Sequence, residues 1–166
     1  MTDLTYRDLG PTDFDVLHDM ARRWAVVRQL GGWPWPADPA FTKSRCKPYT
    51  GKGFVWGIIC GDQLCGSVAV TNGELGYMLH PDFSGQGIMT RAARAALTHA
   101  RATSDIAHFQ ASVWHDNPAS KAVVSKLGFQ HWQTRFEPSF ARRIPTLSHY
   151  YRLSRADWDI LSKAQQ

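Results

Sequence analysis

Between Gly73 and Leu97 the chain reads GELGYMLHPDFSGQGIMTRAARAAL. Glu74–His80 has the apolar content and alternation of a strand. From about Gln86 the alanine-rich run has the composition of a helix. The turn between them places Gly85 and Gly87 around Gln86. Glycine at a helix start costs about 1 kcal/mol relative to alanine, so the turn must gain something in return. Strand, glycine-rich turn and helix together form a cradle for an anion. Glycine lets backbone N–H groups approach closely, and the helix N-terminus adds unpaired donors and a positive dipole end. Two common versions do not fit. A P-loop needs Gly-Lys-Ser/Thr, but Ile88-Met89-Thr90 follows Gly87. A dinucleotide fingerprint needs a third glycine, and Arg91, Ala92 and Ala93 stand there instead. A third reading, a cradle for a pyrophosphate, stays open at this point.

Outward from this stretch, the elements imply one mixed sheet. PTDFDVLHDMARRWAVVRQL reads as one first helix, with Thr12 or Asp13 as its cap. GGWPWPADP breaks it. GFVWGIICG and QLCGSVAVT are apolar, β-branched runs around Gly61-Asp62, a hairpin signal. After the alanine-rich helix come the strand IAHFQASVW and a short helix, NPASKAVVSKLGF, closed by Gly128. QHWQTRFE and LSHYYRLS are late strands, and RADWDILSKA is a helical tail. The order predicts an α/β (α+β) fold with a mixed, mostly antiparallel sheet flanked by helices.

Bulk properties narrow the class. A chain of 166 residues is expected to form a single domain. No apolar run reaches the roughly 18 residues of a membrane helix. The start MTDLTYRDLG has no secretory pattern, so a cytoplasmic location is expected. Cys46, Cys60 and Cys65 are then reduced structural thiols. Cys60 and Cys65 flank GDQL and are placed to face each other across two strands. They lack the further close ligands a metal site needs, so no metal is expected. The net charge is +5, which favours anionic partners, yet there is no long basic block.

The motif GELGYMLHPDFSGQGIMTRAARAALTHA followed by NPASKAVVSKLGF resembles the GNAT superfamily of acyl-CoA N-acyltransferases. It is most similar to the RimJ/RimL-type branch, which includes N-terminal acetyltransferases of ribosomal proteins. The resemblance implies a GNAT fold and acetyl-CoA as cofactor. It implies transfer to a primary amine, either a protein N-terminus or a small molecule, by direct attack in a ternary complex. Amides of Gly85, Gln86, Gly87, Ile88, Met89 and Thr90 would hold the pyrophosphate. The strand edge Met78, Leu79 and His80 would pair with the pantetheine arm, and a backbone N–H near Leu79 would face the oxyanion. Arg91 would either sit over the phosphates or stand solvated in the first turn of the helix. Asn117 matches the cofactor-binding asparagine of the second motif and also caps its helix. A homodimer is compatible with the family; no membrane or nucleic acid is implied.

Acyl transfer needs a neutral amine, an oxyanion donor and a proton for the leaving thiolate. The tyrosine that many family members carry before Leu-Gly-Phe is replaced here by Val124. By resemblance to the RimJ/RimL branch, Ser120 becomes the candidate acid, with Tyr150 and Tyr151 as alternatives. Glu74 is the first candidate base; His80 and His115 are others. Alternation puts Glu74, Gly76, Met78 and His80 on one sheet face and Leu75, Tyr77 and Leu79 on the other. A site without a strong base suits an α-amine, which titrates near 8, over a lysine near 10.4. Trp24, Trp33, Trp35, Trp56 and Trp132 are aromatic candidates for an acceptor wall, with Trp24 and Trp56 reading better as core. Arg22, Arg23, Lys43, Arg45 and Lys47 cluster nearby and would repel polyamines. Two other classes stand beside this one: a non-catalytic acyl-CoA sensor, and a basic nucleic-acid module, which leaves the glycine-rich turn unexplained.

Overall fold

A computed structural model describes residues 3–163. Seven strands form one sheet in the order β1-β2-β3-β4-β5-β7-β6. They are β1 (Leu4–Asp8), β2 (Gly53–Cys60), β3 (Gln63–Thr71), β4 (Glu74–Leu79), β5 (His108–Trp114), β6 (Gln130–Pro138) and β7 (Pro145–Ser154). The helices are α1 (Phe14–Ala21), α2 (Trp24–Val27), α3 (Pro39–Arg45), α4 (Ile88–Thr103), α5 (Pro118–Lys126) and α6 (Arg155–Lys163). Every strand pair is antiparallel except β4 and β5, which run parallel and share only the register pair Glu74↔Gln110. Beyond that pair the sheet opens into a wedge.

The two sheet faces carry separate cores. On one, Ile88, Ala92, Ala96 and Leu97 of α4, Val124 of α5 and Trp158 of α6 pack on Val68, Phe109 and Leu153. On the other, Leu17 and Met20 of α1 and Cys46 after α3 pack on Leu64 and Met78. The small residues Ala92, Ala93 and Ala96 are fully buried. Lacking bulk, they let α4 lie close against the sheet, which brings its N-terminus to the wedge.

The sequence reading and the structure differ at the first helix. It is two helices, α1 and α2, joined at Arg22-Arg23, where Arg23 is extended at φ −97°, ψ 109°. The break turns Val27 into the core while Trp24 stays 40% exposed, so Trp24 is a surface residue rather than a core one. Trp56 is half-buried and packs against the core from its edge, stacked on Tyr6 and tilted against Phe54. Asp13 precedes α1 but its side chain makes no cap bond there. It turns back to Arg7 (2.7 and 2.8 Å) and to the Gly10 N–H (2.8 Å), and the Arg7 guanidinium holds its carboxyl below the usual range. Strand β1 and helix α3 are additions to the sequence reading. The latter starts at Pro39, with Asp38 accepting from the Ala40 N–H at 2.8 Å, an arrangement the flanking prolines conceal.

Cys60 and Cys65 are not register partners, since Cys60 pairs with Gln63 and the register shifts after Ile58. The irregularity still brings the thiols together. Burial, and then the Cys60 thiol, push Cys65 up to about 12, which leaves it inert as a nucleophile.

Candidate functional site

The wedge opens into a cavity of about 1250 Å³. Its floor is Gly76, Tyr77, Met78 and Leu79 of β4 with Ala111 and Ser112 of β5. The turn before α4 closes one end through Gly85, Gly87, Ile88, Met89 and Thr90, and α5 supplies Asn117 and Ser120. Leu30, Trp33, Arg45, Lys47 and Tyr49 cover it from the segment between α2 and β2. Most of the sequence-derived candidates therefore meet in one space.

Gly85 and Gly87 have φ of +77° and +72°, in the left-handed region that favours glycine. A Cβ at either position would meet nothing within 4 Å. Packing does not demand these glycines; the backbone conformation and an open approach to the amides do. Helix α4 has no side-chain cap at Gly87, so its first-turn N–H groups stay available for an anion.

Three candidates from the turn and its flanks lie outside the cavity lining. His80 does not line the cavity. Its Nε2 lies 3.0 Å from Asp19 Oδ2, and its Nδ1 accepts from the Asp82 N–H at 3.3 Å. It fastens the turn to α1. The Gln86 side chain donates to the Asp82 carbonyl at 3.3 Å, bracing the turn from outside. Arg91 stands outside the cavity lining, near enough to Tyr6 for its charge to oppose the rise that burial imposes on that phenol.

At the second motif, Asn117 Oδ1 accepts from the Ser120 N–H at 3.0 Å and caps α5. Val124, where a tyrosine is common, is fully buried. A phenol arrives from another element. Tyr77 on β4 shares the α-helical face with Leu75 and Leu79, as alternation implies, and its hydroxyl lies 2.7 Å from Ser120 Oγ. Burial pushes Tyr77 up to about 12. In the sequence Tyr77 is only a strand residue; nothing in its local pattern signals a partner forty-odd positions later in the chain, which only the fold supplies.

Glu74 stands at the closed end of the wedge, where β4 and β5 still pair, and its Oε1 accepts from Ser112 Oγ at 3.2 Å. It also borders a second, polar cavity of about 450 Å³, shared with Gln29, Gln110, Arg135, Glu137 and Tyr150. There Arg135 donates to Glu137 at 2.8 Å and to the Tyr150 hydroxyl at 3.2 Å. Tyr151 lies in the core beneath the helices, only 5% exposed, and His115 lines neither cavity. Of the aromatic wall candidates, Trp33 lines the large cavity. Trp35 contacts Trp24, and Trp132 lies under the Arg152 guanidinium.

Two arginines staple the rim at Asp116, Arg28 donating to its Oδ2 at 3.1 Å and Arg142 gripping it from the other side. Arg142, between β6 and β7, donates to both oxygens of Asp116 (2.8 and 2.9 Å), to the Arg28 carbonyl (3.0 Å) and to Gln29 (3.2 Å). The Arg142 hydrogen bonds pull the Asp116 carboxyl down to about 2. Asp116 immediately precedes Asn117, so the staple fixes the approach to α5. Among the described residues, no group of three or more His, Cys, Asp or Glu could hold a metal, and no helix is long and apolar enough to cross a membrane.

Comparison with known proteins follows the same line. The family described as the acetyltransferase (GNAT) domain matches residues 3–130. The protein named "Putative ribosomal N-acetyltransferase YdaF", from Bacillus subtilis (strain 168), is 25% identical over 110 residues, which cover 62% of this chain and 60% of that protein. This chain thus aligns with about three fifths of that relative's length. A solved structure of RimL, a ribosomal L7/L12 α-N-protein acetyltransferase in complex with coenzyme A, is 22% identical with a TM-score of 0.77, covering 96% of this chain and 97% of that one. The microcin C7 self-immunity acetyltransferase MccE, solved with acetyl-CoA and AMP, is 16% identical with a TM-score of 0.74, covering 92% of each chain. At these identities the two structures establish the shared fold.

Proposed function

The chain belongs to the acetyltransferase (GNAT) domain family, and on that premise we propose that it is an acetyl-CoA-dependent N-acetyltransferase acting on a primary amine. The observation that carries this reading is the wedge between β4 and β5, which shares one cavity with the uncapped N-terminus of α4. The residues present fit coenzyme A. Two left-handed glycines leave open space beside the first-turn amides of α4, and an anion such as a pyrophosphate is what such donors recognise. Gly85–Thr90 would hold the pyrophosphate, the β4 edge at Met78 and Leu79 would hold the pantetheine arm, and Asn117 would flank it. When bound, acetyl-CoA supplies an acetyl thioester.

The chain's own groups then divide the work. Glu74 takes the proton of the incoming amine, directly or through water. A backbone N–H near Leu79 faces the developing oxyanion. Ser120 supplies a proton to the leaving sulfur. Attack is direct, in a ternary complex, which is consistent with the inert Cys65 thiol. The acceptor class we favour is the α-amine of a polypeptide. The likeness to RimL, a ribosomal L7/L12 α-N-protein acetyltransferase, supports it, as does a cavity lined by one carboxylate, Glu74, among the described residues, suited to an amine that loses its proton near pH 8. Free Cys46, Cys60 and Cys65 support a reducing, cytoplasmic setting, and we read the whole chain as one domain.

The test is calorimetric titration with acetyl-CoA, followed by a free-thiol release assay over peptides with free N-termini and small amines. Binding with thiol release on peptides is the expected result. Binding with no release on any acceptor would favour a sensor of acyl-CoA, and absence of binding would overturn the reading.

A further inference from the structure

We propose that Tyr77 is a positioning residue for Ser120, donating its phenolic proton to Ser120 Oγ so that the serine's own proton points into the cavity. The proposal rests on the acetyltransferase reading above and adds a residue to it. Its basis is geometric. Tyr77 comes from β4 and Ser120 from α5, on opposite sides of the wedge, and both line the large cavity. The two hydroxyls lie 2.7 Å apart.

A serine hydroxyl has one proton and a phenol has one, so the direction of this bond decides what Ser120 can do. With Ser120 donating to Tyr77, the serine has nothing left for a substrate. With Tyr77 donating, the serine proton is free. Three facts favour the second arrangement. The phenol is half-buried at the cavity wall with Ser120 Oγ as its nearest partner at 2.7 Å; its alternative acceptor, the Ser120 carbonyl, is at 3.4 Å. Burial raises the phenol to about 12, which keeps it protonated across any working pH. The Ser120 N–H is already committed to Asn117 Oδ1 at 3.0 Å, so the first turn of α5 is held still while the hydroxyl is aimed. A phenol from β4 thus stands beside the motif whose usual tyrosine position is the core residue Val124.

In the reaction, Ser120 passes its proton to the departing sulfur as the carbon–sulfur bond breaks with its electron pair on sulfur. The serine oxygen recovers a proton from the water or Glu74 that has taken the one lost by the amine. Protons balance, and Tyr77 ends the cycle protonated.

The experiment compares wild type, Tyr77→Phe, Ser120→Ala and the double variant. The readouts are thiol release from acetyl-CoA with the most active peptide of the panel, and calorimetric acetyl-CoA affinity. Tyr77→Phe removes one oxygen and keeps the ring, and its thermal melt is expected to match wild type within a few degrees. It should lower kcat about tenfold, the worth of one good hydrogen bond, with KM and affinity for acetyl-CoA within about twofold of wild type. The double variant should be no slower than Ser120→Ala alone, because the two act as a unit. An unchanged kcat in Tyr77→Phe would overturn the proposal. So would a full further tenfold loss in the Ser120→Ala background. An alkaline limb in the kcat profile below about pH 10 that Tyr77→Phe abolishes would make Tyr77 itself the acid and overturn the positioning role. A wild type that binds acetyl-CoA and turns over no acceptor would overturn the acetyltransferase reading, and the proposal with it; loss of the proposal alone requires an active wild type.

Discussion

Gly87→Ala separates what the fold needs from what the ligand needs. Gly87 has φ +72° and its Cβ position is empty to 4 Å. The substitution therefore creates no clash, only the cost of holding alanine in the left-handed region, about 1 kcal/mol. For a chain of this size that lowers Tm by about 2–4 °C, and the protein should still fold. Acetyl-CoA affinity should fall much further. The new methyl stands where an anion approaches the first-turn amides of α4. Loss of one charge-assisted hydrogen bond is worth about 1.5–3 kcal/mol, or roughly ten- to a hundredfold in Kd. A matched control exists in the same chain. Gly61, in the β2–β3 hairpin turn, has φ +64° and likewise nothing within 4 Å of its Cβ position, and it lies outside the cavity lining. Gly61→Ala should cost the same stability and leave acetyl-CoA binding intact. Calorimetric titration and thermal denaturation of both variants read the two effects apart. Wild-type affinity in Gly87→Ala, or an equal affinity loss in Gly61→Ala, would refute the assignment of the turn.

Further outcomes follow from the rest of the site. Glu74→Gln should lower kcat about a hundredfold with acetyl-CoA affinity unchanged in calorimetry; full activity would show that water alone takes the amine's proton. Asn117→Ala removes the α5 cap, costing about 1 kcal/mol in a denaturant titration, and should also weaken acetyl-CoA binding. For Asp116, held at about 2 in the fold against about 3.9 in an unfolded chain, the stabilisation is complete above about pH 5 and is lost as pH falls toward 2. Arg142→Ala should therefore destabilise the protein near pH 7 by roughly 2 kcal/mol, and the gap to wild type should close on acidification. A gap that stays constant down to pH 2 would show that the Arg142–Asp116 pair is not its source.

The sequence by itself determined the glycine turn before α4, the element order from β2 onward and the family resemblance. These are local properties: glycines that permit a left-handed turn, an alanine-rich run that propagates as a helix, and Asn117 before a proline. Periodicity alone could not place the break at Arg22-Arg23, because two short helices and one long one present the same apolar spacing until a core chooses between them. Trp24 shows the consequence, expected inside and found 40% exposed. Asp38 before Pro39 was a legible cap whose helix hid among loop-forming prolines. His80 and Gln86 belong to the same stretch of sequence as the glycine turn, yet their side chains brace it from behind, toward Asp19 and Asp82. Tertiary structure alone decided the wedge, since β4 and β5 part after one register pair. It alone brought Tyr77 to Ser120 and Arg142 to Asp116. Those contacts join residues from separate elements, and their energies depend on distance in space, which no local pattern along the chain encodes.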